Sequence, residues 1–321
     1  MSRMMCEMIR FEKGFEGYYG ATAYLLYPSQ SMLEDLRGTK RRDWLSVLAK
    51  FLTVLISSSS CRLRIATLTE RLTSPDIRCG EEKRSMMYLY SARILDSLAI
   101  CPTRAYFEAK HSSRASLPPV DVEDALAEQG MLAKWLREQL NQLQSDGIVI
   151  LEKTLHAYGP RGGRISSGKL LVAEFRVEGK TLVLRGVPDI YLLVGSKHGD
   201  RYRIYAMVGE FAETGTHEFL AYRYLVPRMT LYAAAVSTCY GVGVVAIYAP
   251  LKPPKDYLGE GVSEPWAILL AYEEPREATK RLVEDVRKLA RILDEAMPPK
   301  PQRQPRFCNV CQYRSVCPYR E

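Results

Sequence analysis

Three cysteines stand close together at the C-terminal end of the chain, where Cys308, Cys311 and Cys317 form a C-x2-C-x5-C array. Thiolates bind zinc, copper(I) or iron-sulphur clusters, and a tetrahedral thiolate site takes four ligands. Because this tail supplies only three, the fourth ligand has to come from a distant part of the sequence. The array therefore predicts a fold in which the tail packs back against an earlier segment.

The remaining cysteines, among eight in the chain, are predicted to be core or incidental thiols at positions 6, 61, 79 and 239. The N-terminus lacks the layout of a signal peptide, which favours metal ligands and buried thiols over disulfides. Cys79 is a rival candidate for the fourth ligand. Asn141 and Asn309 are the only asparagines, and depletion of this thermolabile residue favours a thermophilic source, where intracellular disulfides are more frequent.

The chain of 321 residues carries a formal net charge of +8, which favours a polyanionic partner such as DNA. Its apolar stretches, such as Trp44–Ile56, are too short and too interrupted to span a bilayer, so we expect a cytoplasmic protein without a membrane segment. A positive net charge alone does not distinguish a nucleic-acid-binding protein from other basic proteins.

Hydrophobic periodicity predicts mostly helices in the first hundred residues and strands after Ile148. A Glu178-Gly179-Lys180 hairpin is predicted between two of these strands. The predicted helices are Arg41–Ser57, Glu81–Leu98, Asp121–Leu143, Thr216–Tyr240 with a kink or restart at Pro227, and Arg276–Met297. The predicted strands include Lys169–Val177, Thr181–Arg185, Arg201–Val208, Gly241–Tyr248 and Trp266–Tyr272.

Two carboxylates stand at the ends of neighbouring predicted core strands. Asp189 begins the apolar run that ends at Leu193, and Glu210 ends the next strand. Oxygen ligands on two adjacent strands suit Mg²⁺ or Mn²⁺, which polarises a phosphodiester and activates water. The alternative interpretation is that both are ordinary acids at strand ends.

The order of these motifs resembles a known family. Pro188-Asp189, Glu210, a following helix with Tyr232, the upstream Cys101 and the cysteine tail together are similar to the RecB-like nucleases of the PD-(D/E)XK superfamily. They resemble more closely the CRISPR-associated iron-sulphur exonucleases of the Cas-four type, and within these the archaeal Csa-one subfamily. The resemblance covers about residues 95–321.

The resemblance implies a mixed α/β fold of the PD-(D/E)XK type, with a central sheet flanked by helices. It implies a metal-dependent DNA exonuclease that acts in CRISPR adaptation, an antiviral defence, and processes DNA ends before spacer integration, with CRISPR integrase and adaptation proteins as partners. It also implies that Cys101 joins the tail cysteines Cys308, Cys311 and Cys317 in holding a 4Fe-4S cluster. A zinc ion held by the same four thiolates is the chemical alternative, because the sequence does not distinguish a four-cysteine zinc site from a four-cysteine iron-sulphur site.

The catalytic motif departs from the family at three positions. Lys134 stands where the family has a metal-binding histidine, Ala212 where it has a lysine, and Arg228 where it has a glutamine four residues before Tyr232. The resemblance thus implies Asp189 and Glu210 as metal ligands, with Tyr232 and Arg228 orienting DNA and Lys134 as a surrogate cation. For Lys134 the alternative is a solvated helix face, and for Arg228 an ion pair with Glu213 or Glu218.

Two further features could serve this site. His156 is a candidate to replace the missing ligand, and the run around Arg161 and Arg164 suits a DNA-contacting loop or a solvated turn.

We expect three parts in the chain: a helical N-terminal part at 1–98, a RecB-like nuclease core at 99–297 and a cysteine segment at 298–321 that packs back with Cys101. Two other functions stay open. One is a nuclease-derived scaffold that has lost catalysis and binds DNA or integrase partners. The other is a four-cysteine zinc protein that binds nucleic acid and has no nuclease ancestry.

Overall fold

The fold is known from a computed structural model. It describes residues 6–11, 18–30, 33, 44–78, 87–112, 147–155, 169–198, 201–212, 223–250, 252–255, 261, 264–301 and 308–320.

These residues form two β-sheets and a set of helices. The strands are β1 Cys6–Phe11, β2 Thr22–Pro28, β3 Ile77–Arg78, β4 Met87–Ser91, β5 Gly147–Leu155, β6 Leu171–Val177, β7 Lys180–Gly186, β8 Ile190–His198, β9 Arg201–Ala212, β10 Gly243–Pro250 and β11 Ala267–Ala271. The helices are α1 Trp44–Ser57, α2 Ser59–Leu68, α3 Ile94–Ile100, α4 Pro102–Ser112, α5 Val226–Tyr240 and α6 Pro275–Asp294. Short 3₁₀ turns lie at Tyr18–Gly20, Arg223–Leu225 and Cys308–Val310.

The larger sheet has seven strands in the order β1-β2-β11-β10-β9-β8-β5. Its strands are antiparallel except for the parallel pair β9 and β10, which the helix α5 connects. The smaller sheet has the order β3-β6-β7-β4, with β4 parallel to β7. The predicted fold class, a mixed sheet flanked by helices, is confirmed.

Apolar side chains cover both faces of the larger sheet, as expected for strands that read as apolar runs. On one face α1 and α2 pack against β8 to β11, around Trp266 and Phe51. The opposite face is covered by α3, α5, α6 and the smaller sheet. The helix α5 is buried along almost its whole length, so polar residues on it lie inside the protein.

Local sequence signals account for several element ends. Glu178 and Gly179 both have positive φ, 51° and 70°, which suits the predicted tight hairpin between β6 and β7. Pro227 lies in the first turn of α5, where its missing N–H is tolerated, so it marks a restart and not a kink. Gly241 ends the same helix in the left-handed conformation.

The helical character predicted for residues 1–98 is wrong in part. The strands β1 and β2 pair with each other, and β2 also pairs with β11, so this part of the chain builds one side of the main sheet. The predicted helix Glu81–Leu98 is also wrong, because Met87–Ser91 is a strand and α3 begins only at Ile94. Short apolar runs fit either element, and pairing with distant strands decides between them. The predicted division at residues 98 and 297 stays a prediction.

Two of the cysteines expected to be thiols are not. Cys61 in α2 and Cys239 in α5 are disulfide-bonded. The prediction that these cysteines are free thiols rested on the missing export signal. Such a signal indicates the redox environment of a protein, but it does not determine which cysteines lie close together in the fold.

No single helix in the described part of the chain is long and apolar enough to cross a membrane. One pair, Lys50–Ile56 with Cys61–Leu68, passes the same test only when both halves are counted together, and it is bent by 82°.

Candidate active site

The register of β8 and β9 brings the two predicted carboxylates together. The strands are antiparallel and Ile190 pairs with Gly209, so Asp189 and Glu210 lie opposite each other at one end of the pair. Side chains alternate along a strand, which turns both carboxylates toward the face that α5 covers. Asp189 is 7% exposed and Glu210 is 6% exposed. The two carboxyl groups influence each other's protonation.

Burial controls the protonation of this pair. Desolvation raises the pKa of Glu210 to about 8, the nearby Arg228 lowers it, and the adjacent Asp189 raises it further. Desolvation also raises the pKa of Asp189, opposed by its interaction with Glu210 and by the N–H of Phe211, which donates to Oδ2 of Asp189 at 3.0 Å. Oε1 of Glu210 is buried without a hydrogen-bond partner. The pair therefore holds a proton near neutral pH that a cation would displace.

The helix α5 supplies two further groups to the pair. Arg228 and Tyr232 are four residues apart and lie on the same helix face. Nη1 of Arg228 is 3.6 Å from Oε1 of Glu210. Tyr232 lies beside Glu210, and desolvation together with the charge of Glu210 raises the pKa of Tyr232 well above its usual range. Tyr232 thus stays a neutral phenol next to Glu210.

A third carboxylate completes the cluster from α3. Oδ2 of Asp96 is 3.0 Å from Nε of Arg228, and their side chains are only 15% and 9% exposed. Desolvation raises the pKa of Asp96 to about 7, while the charge of Arg228 lowers it. Oδ1 of Asp96 is buried without a hydrogen-bond partner. Arg228 is therefore shared between two buried acids.

Sequence reasoning missed Asp96, although a signal for it exists. Asp96 is the one acidic residue of α3 and lies among the buried residues Ile94, Leu95, Ser97 and Leu98. Acids are seldom buried without a partner, so an acid within such an apolar helix is a candidate for a functional or paired group.

The other predicted site residues have different outcomes. The structure brings Asp189, Glu210, Arg228 and Tyr232 together, and their catalytic roles stay predictions. The partners of Arg228 in the structure are Asp96 and Glu210. The remaining candidates lie outside the described residues, namely Lys134, His156, Arg161, Arg164, Glu213 and Glu218.

The four predicted cluster cysteines line one cavity. Cys101 lies between α3 and α4, and its N–H donates to the carbonyl of Ser97 at 2.8 Å. In the tail, the carbonyl of Cys308 accepts from the N–H of Cys311 at 3.2 Å. All four are half-buried and surround the same space: Cys101, Cys308, Cys311 and Cys317. Burial raises the pKa of Cys308, and the charges of the other three thiols raise it further.

Contacts with α4 hold the tail and the segment before it in place. The rings of Phe107 and Tyr313 stack with centroids 5.8 Å apart at an interplanar angle of 25°. The hydroxyl of Thr103 donates to the carbonyl of Pro299 at 2.6 Å, and that of Tyr106 to the carbonyl of Ala296 at 3.0 Å. These contacts fix the Cys101 side and the tail side of the cavity to each other.

Apolar groups line much of the cysteine cavity, including the rings of Phe107 and Tyr313. Within the described ranges, at the cysteines and at the acidic pair alike, no group of three or more His, Cys, Asp or Glu side chains is arranged to hold a metal ion.

A buried acidic pair supplies hard oxygen ligands of the kind that divalent metal ions prefer. Residues 114–318 match the PD-(D/E)XK nuclease superfamily, and the chain belongs to this superfamily, whose members are nucleases. The match begins after α4, so it includes Asp189, Glu210, Arg228 and the tail cysteines but neither Asp96 nor Cys101.

Other comparisons add little. No curated protein matches the chain. The crystal structure of SSO0001 is similar over 75% of this chain and 90% of its own, with 14% sequence identity and a TM-score of 0.35. A likeness at that level carries no argument about function.

Proposed function

We propose that this protein is a metal-dependent DNA exonuclease of the CRISPR-associated iron-sulphur type, which trims DNA ends in CRISPR adaptation before spacer integration. Its partners are then DNA and the CRISPR integrase and adaptation proteins. The observation that carries the nuclease proposal is the buried, facing pair Asp189 and Glu210 in a chain of the PD-(D/E)XK superfamily. The CRISPR assignment rests on the resemblance of the motif order in the sequence.

The donor set fits Mg²⁺ or Mn²⁺, which nucleases of this superfamily usually use. Asp189 and Glu210 would hold the ion, since both supply hard oxygen ligands and Oε1 of Glu210 is buried without a hydrogen-bond partner. When bound, such an ion supplies Lewis-acid polarisation of a phosphodiester and activation of water.

The chain's own residues arrange and tune this pair. The N–H of Phe211 orients Asp189 before an ion or substrate arrives, and the neutral phenol of Tyr232 lies beside Glu210. Arg228 balances the charge of Glu210 and Asp96 from inside the protein. The guanidinium of Arg228 is buried between these acids, and a role in orienting DNA stays a prediction.

A nuclease assay tests this proposal. Wild-type protein with Mn²⁺ or Mg²⁺ should shorten end-labelled single-stranded or duplex DNA, whereas Asp189→Asn and Glu210→Gln should lose at least a hundredfold in rate. Glu284→Gln, which neutralises an exposed acid on α6, is the matched control and should keep full activity. If the wild type cleaves neither substrate with either ion, the enzymatic proposal is wrong.

A second candidate function is supported by one observation. Arg228 lies 3.6 Å from Glu210 and offsets its charge, which weakens the affinity for a divalent ion, and position 212 in β9 is an alanine. The chain would then be a catalytically inactive subunit that binds DNA or adaptation proteins. Tight DNA binding without cleavage by any of the proteins in the assay above would favour this candidate.

Cys101, Cys308, Cys311 and Cys317 would hold a 4Fe-4S cluster. Soft thiolates select iron-sulphur clusters and zinc, and a cluster needs a space between its ligands such as the cavity they line. Protein purified without oxygen should be brown and contain about four iron atoms per chain. The colour should be lost in Cys101→Ser but kept in Cys61→Ser. A colourless protein with one zinc per chain would show that the site is a zinc site.

A further inference from the structure

We propose that Arg93 binds a phosphate of the substrate DNA at the mouth of the acidic site. The inference rests on the proposed function, and it names a residue before the region matched by the superfamily. Three carboxyl groups lie together at this site, from Asp96, Asp189 and Glu210, and a solvent-accessible cation beside them would attract a DNA phosphate toward the site.

The position of Arg93 suits this role. It is the residue directly before α3, three positions before Asp96, so the two lie on the same side of the helix. Asp96 contacts Arg228, which in turn contacts Glu210, so the helix that Arg93 precedes is linked to the acidic pair. Arg93 is exposed, and within the described part of the chain it forms no ion pair.

The electrostatics of the site agree with this position. The positive charge of Arg93 lowers the pKa of Asp96, Asp189 and Glu210, so its guanidinium acts on all three carboxyl groups. Arg228 also acts on the three, but its side chain is only 9% exposed and is shared between Asp96 and Glu210. Of these two arginines, Arg93 is the one that a phosphate reaches from solvent.

DNA binding in EDTA tests the inference separately from metal-dependent cleavage. The probe is a fluorescein-labelled single-stranded oligonucleotide followed by fluorescence anisotropy at several salt concentrations. Arg93→Ala should weaken DNA binding on the order of tenfold. It should also reduce by about one the magnitude of the slope in a plot of the logarithm of the binding constant against the logarithm of the salt concentration. Arg93→Lys, which keeps the charge, should recover most of the affinity.

Arg203→Ala is the matched control. Arg203 is exposed on β9, seven residues from Glu210, which places it roughly 23 Å from the site along the strand. Its removal changes the net charge equally and should leave affinity within about twofold. If Arg93→Ala binds like the wild type or like the Arg203 control, or if the wild type does not bind the oligonucleotide, the inference is overturned. Cleavage by the wild type with Mn²⁺ is measured in a separate assay. If that assay shows no cleavage, the nuclease proposal fails, but the binding data still test the role of Arg93.

Discussion

The Nε atom of Arg228 lies 3.0 Å from Oδ2 of Asp96, which joins α5 to α3 inside the protein. The same guanidinium reaches Glu210 at 3.6 Å. A residue predicted to orient DNA is therefore a structural and electrostatic centre of the site. Because both acids and the arginine are largely buried, the balance of charge among them controls the stability of the protein.

Removing the charge of Asp96 should destabilise the protein. In Asp96→Asn the buried guanidinium of Arg228 loses a charged partner, and we expect the free energy of unfolding at pH 8.5 to fall by about 2 kcal/mol. Urea denaturation measures this change. Asp294→Asn is the control, since Asp294 pairs with Lys180 at the surface and is 58% exposed, so the loss there should be below about 1 kcal/mol. Equal losses in the two variants would contradict the buried role of Asp96.

The stability of the metal-free protein should fall as pH rises from about 5 to 8. In the unfolded chain Glu210 has its ordinary pKa of 4.5, and burial raises the pKa to about 8 in the folded protein. Between pH 4.5 and pH 8 the folded state therefore binds one more proton at Glu210 than the unfolded state does. The contribution of this proton to the free energy of unfolding is complete below pH 4.5 and is lost as the pH rises through 8. Asp96, whose pKa is raised to about 7, acts in the same direction.

Urea denaturation in EDTA at several pH values checks this dependence. Glu210→Gln removes the titrating group, so its free energy of unfolding should depend less on pH than that of the wild type. A wild-type stability that increases across this window would show that the pKa of Glu210 is not raised.

The acidic pair could be predicted from sequence because its signal is local. Asp189 and Glu210 stand at the ends of adjacent apolar strands, and antiparallel pairing brings such positions together. Asp96 could not be placed in the same way, because its partner Arg228 is 132 positions further along the chain and only tertiary packing joins them. The strand β2 was missed for a related reason, since its pairing with β11 is decided by a segment more than two hundred residues away.

The cysteine tail should depend on the stacked pair Phe107 and Tyr313. In Tyr313→Ala the ring contact is lost, which weakens the hold of α4 on the tail by roughly 1–2 kcal/mol. We expect limited trypsin digestion to cut at Arg314 several times faster than in the wild type. Tyr319→Phe removes only the hydrogen bond to the carbonyl of Pro298, at 2.8 Å, and should have a smaller effect. Unchanged digestion of Tyr313→Ala would show that the stack does not anchor the tail.

The cysteines should separate into two chemical groups. Cys61 and Cys239 are disulfide-bonded, whereas Cys101, Cys308, Cys311 and Cys317 are free. When the metal-free protein is unfolded without reductant, iodoacetamide should therefore label the four free thiols and leave Cys61 and Cys239 unlabelled, as peptide mass spectrometry detects. Labelling of these two only after reduction confirms the disulfides, and labelling before it contradicts them.

Gly186, at the end of β7, should be required for the position of Tyr232. A Cβ atom at residue 186 would lie 2.6 Å from the hydroxyl oxygen of Tyr232 and 3.0 Å from Cβ of Ala92, distances too short for either neighbour to accept without moving. Tyr232 is only 2% exposed, so its ring has no room to turn aside and α5 must shift.

Gly186→Ala should therefore reduce the free energy of unfolding by roughly 2 kcal/mol and, by displacing the phenol from Glu210, lower nuclease activity at least tenfold. Gly179→Ala is the comparison, because a Cβ there has open space and the left-handed φ of 70° alone should cost about 1 kcal/mol without changing activity. Urea denaturation and the DNA-shortening assay measure the two effects. If Gly186→Ala loses stability but keeps full activity, the contact between Tyr232 and Glu210 does not orient the acidic pair.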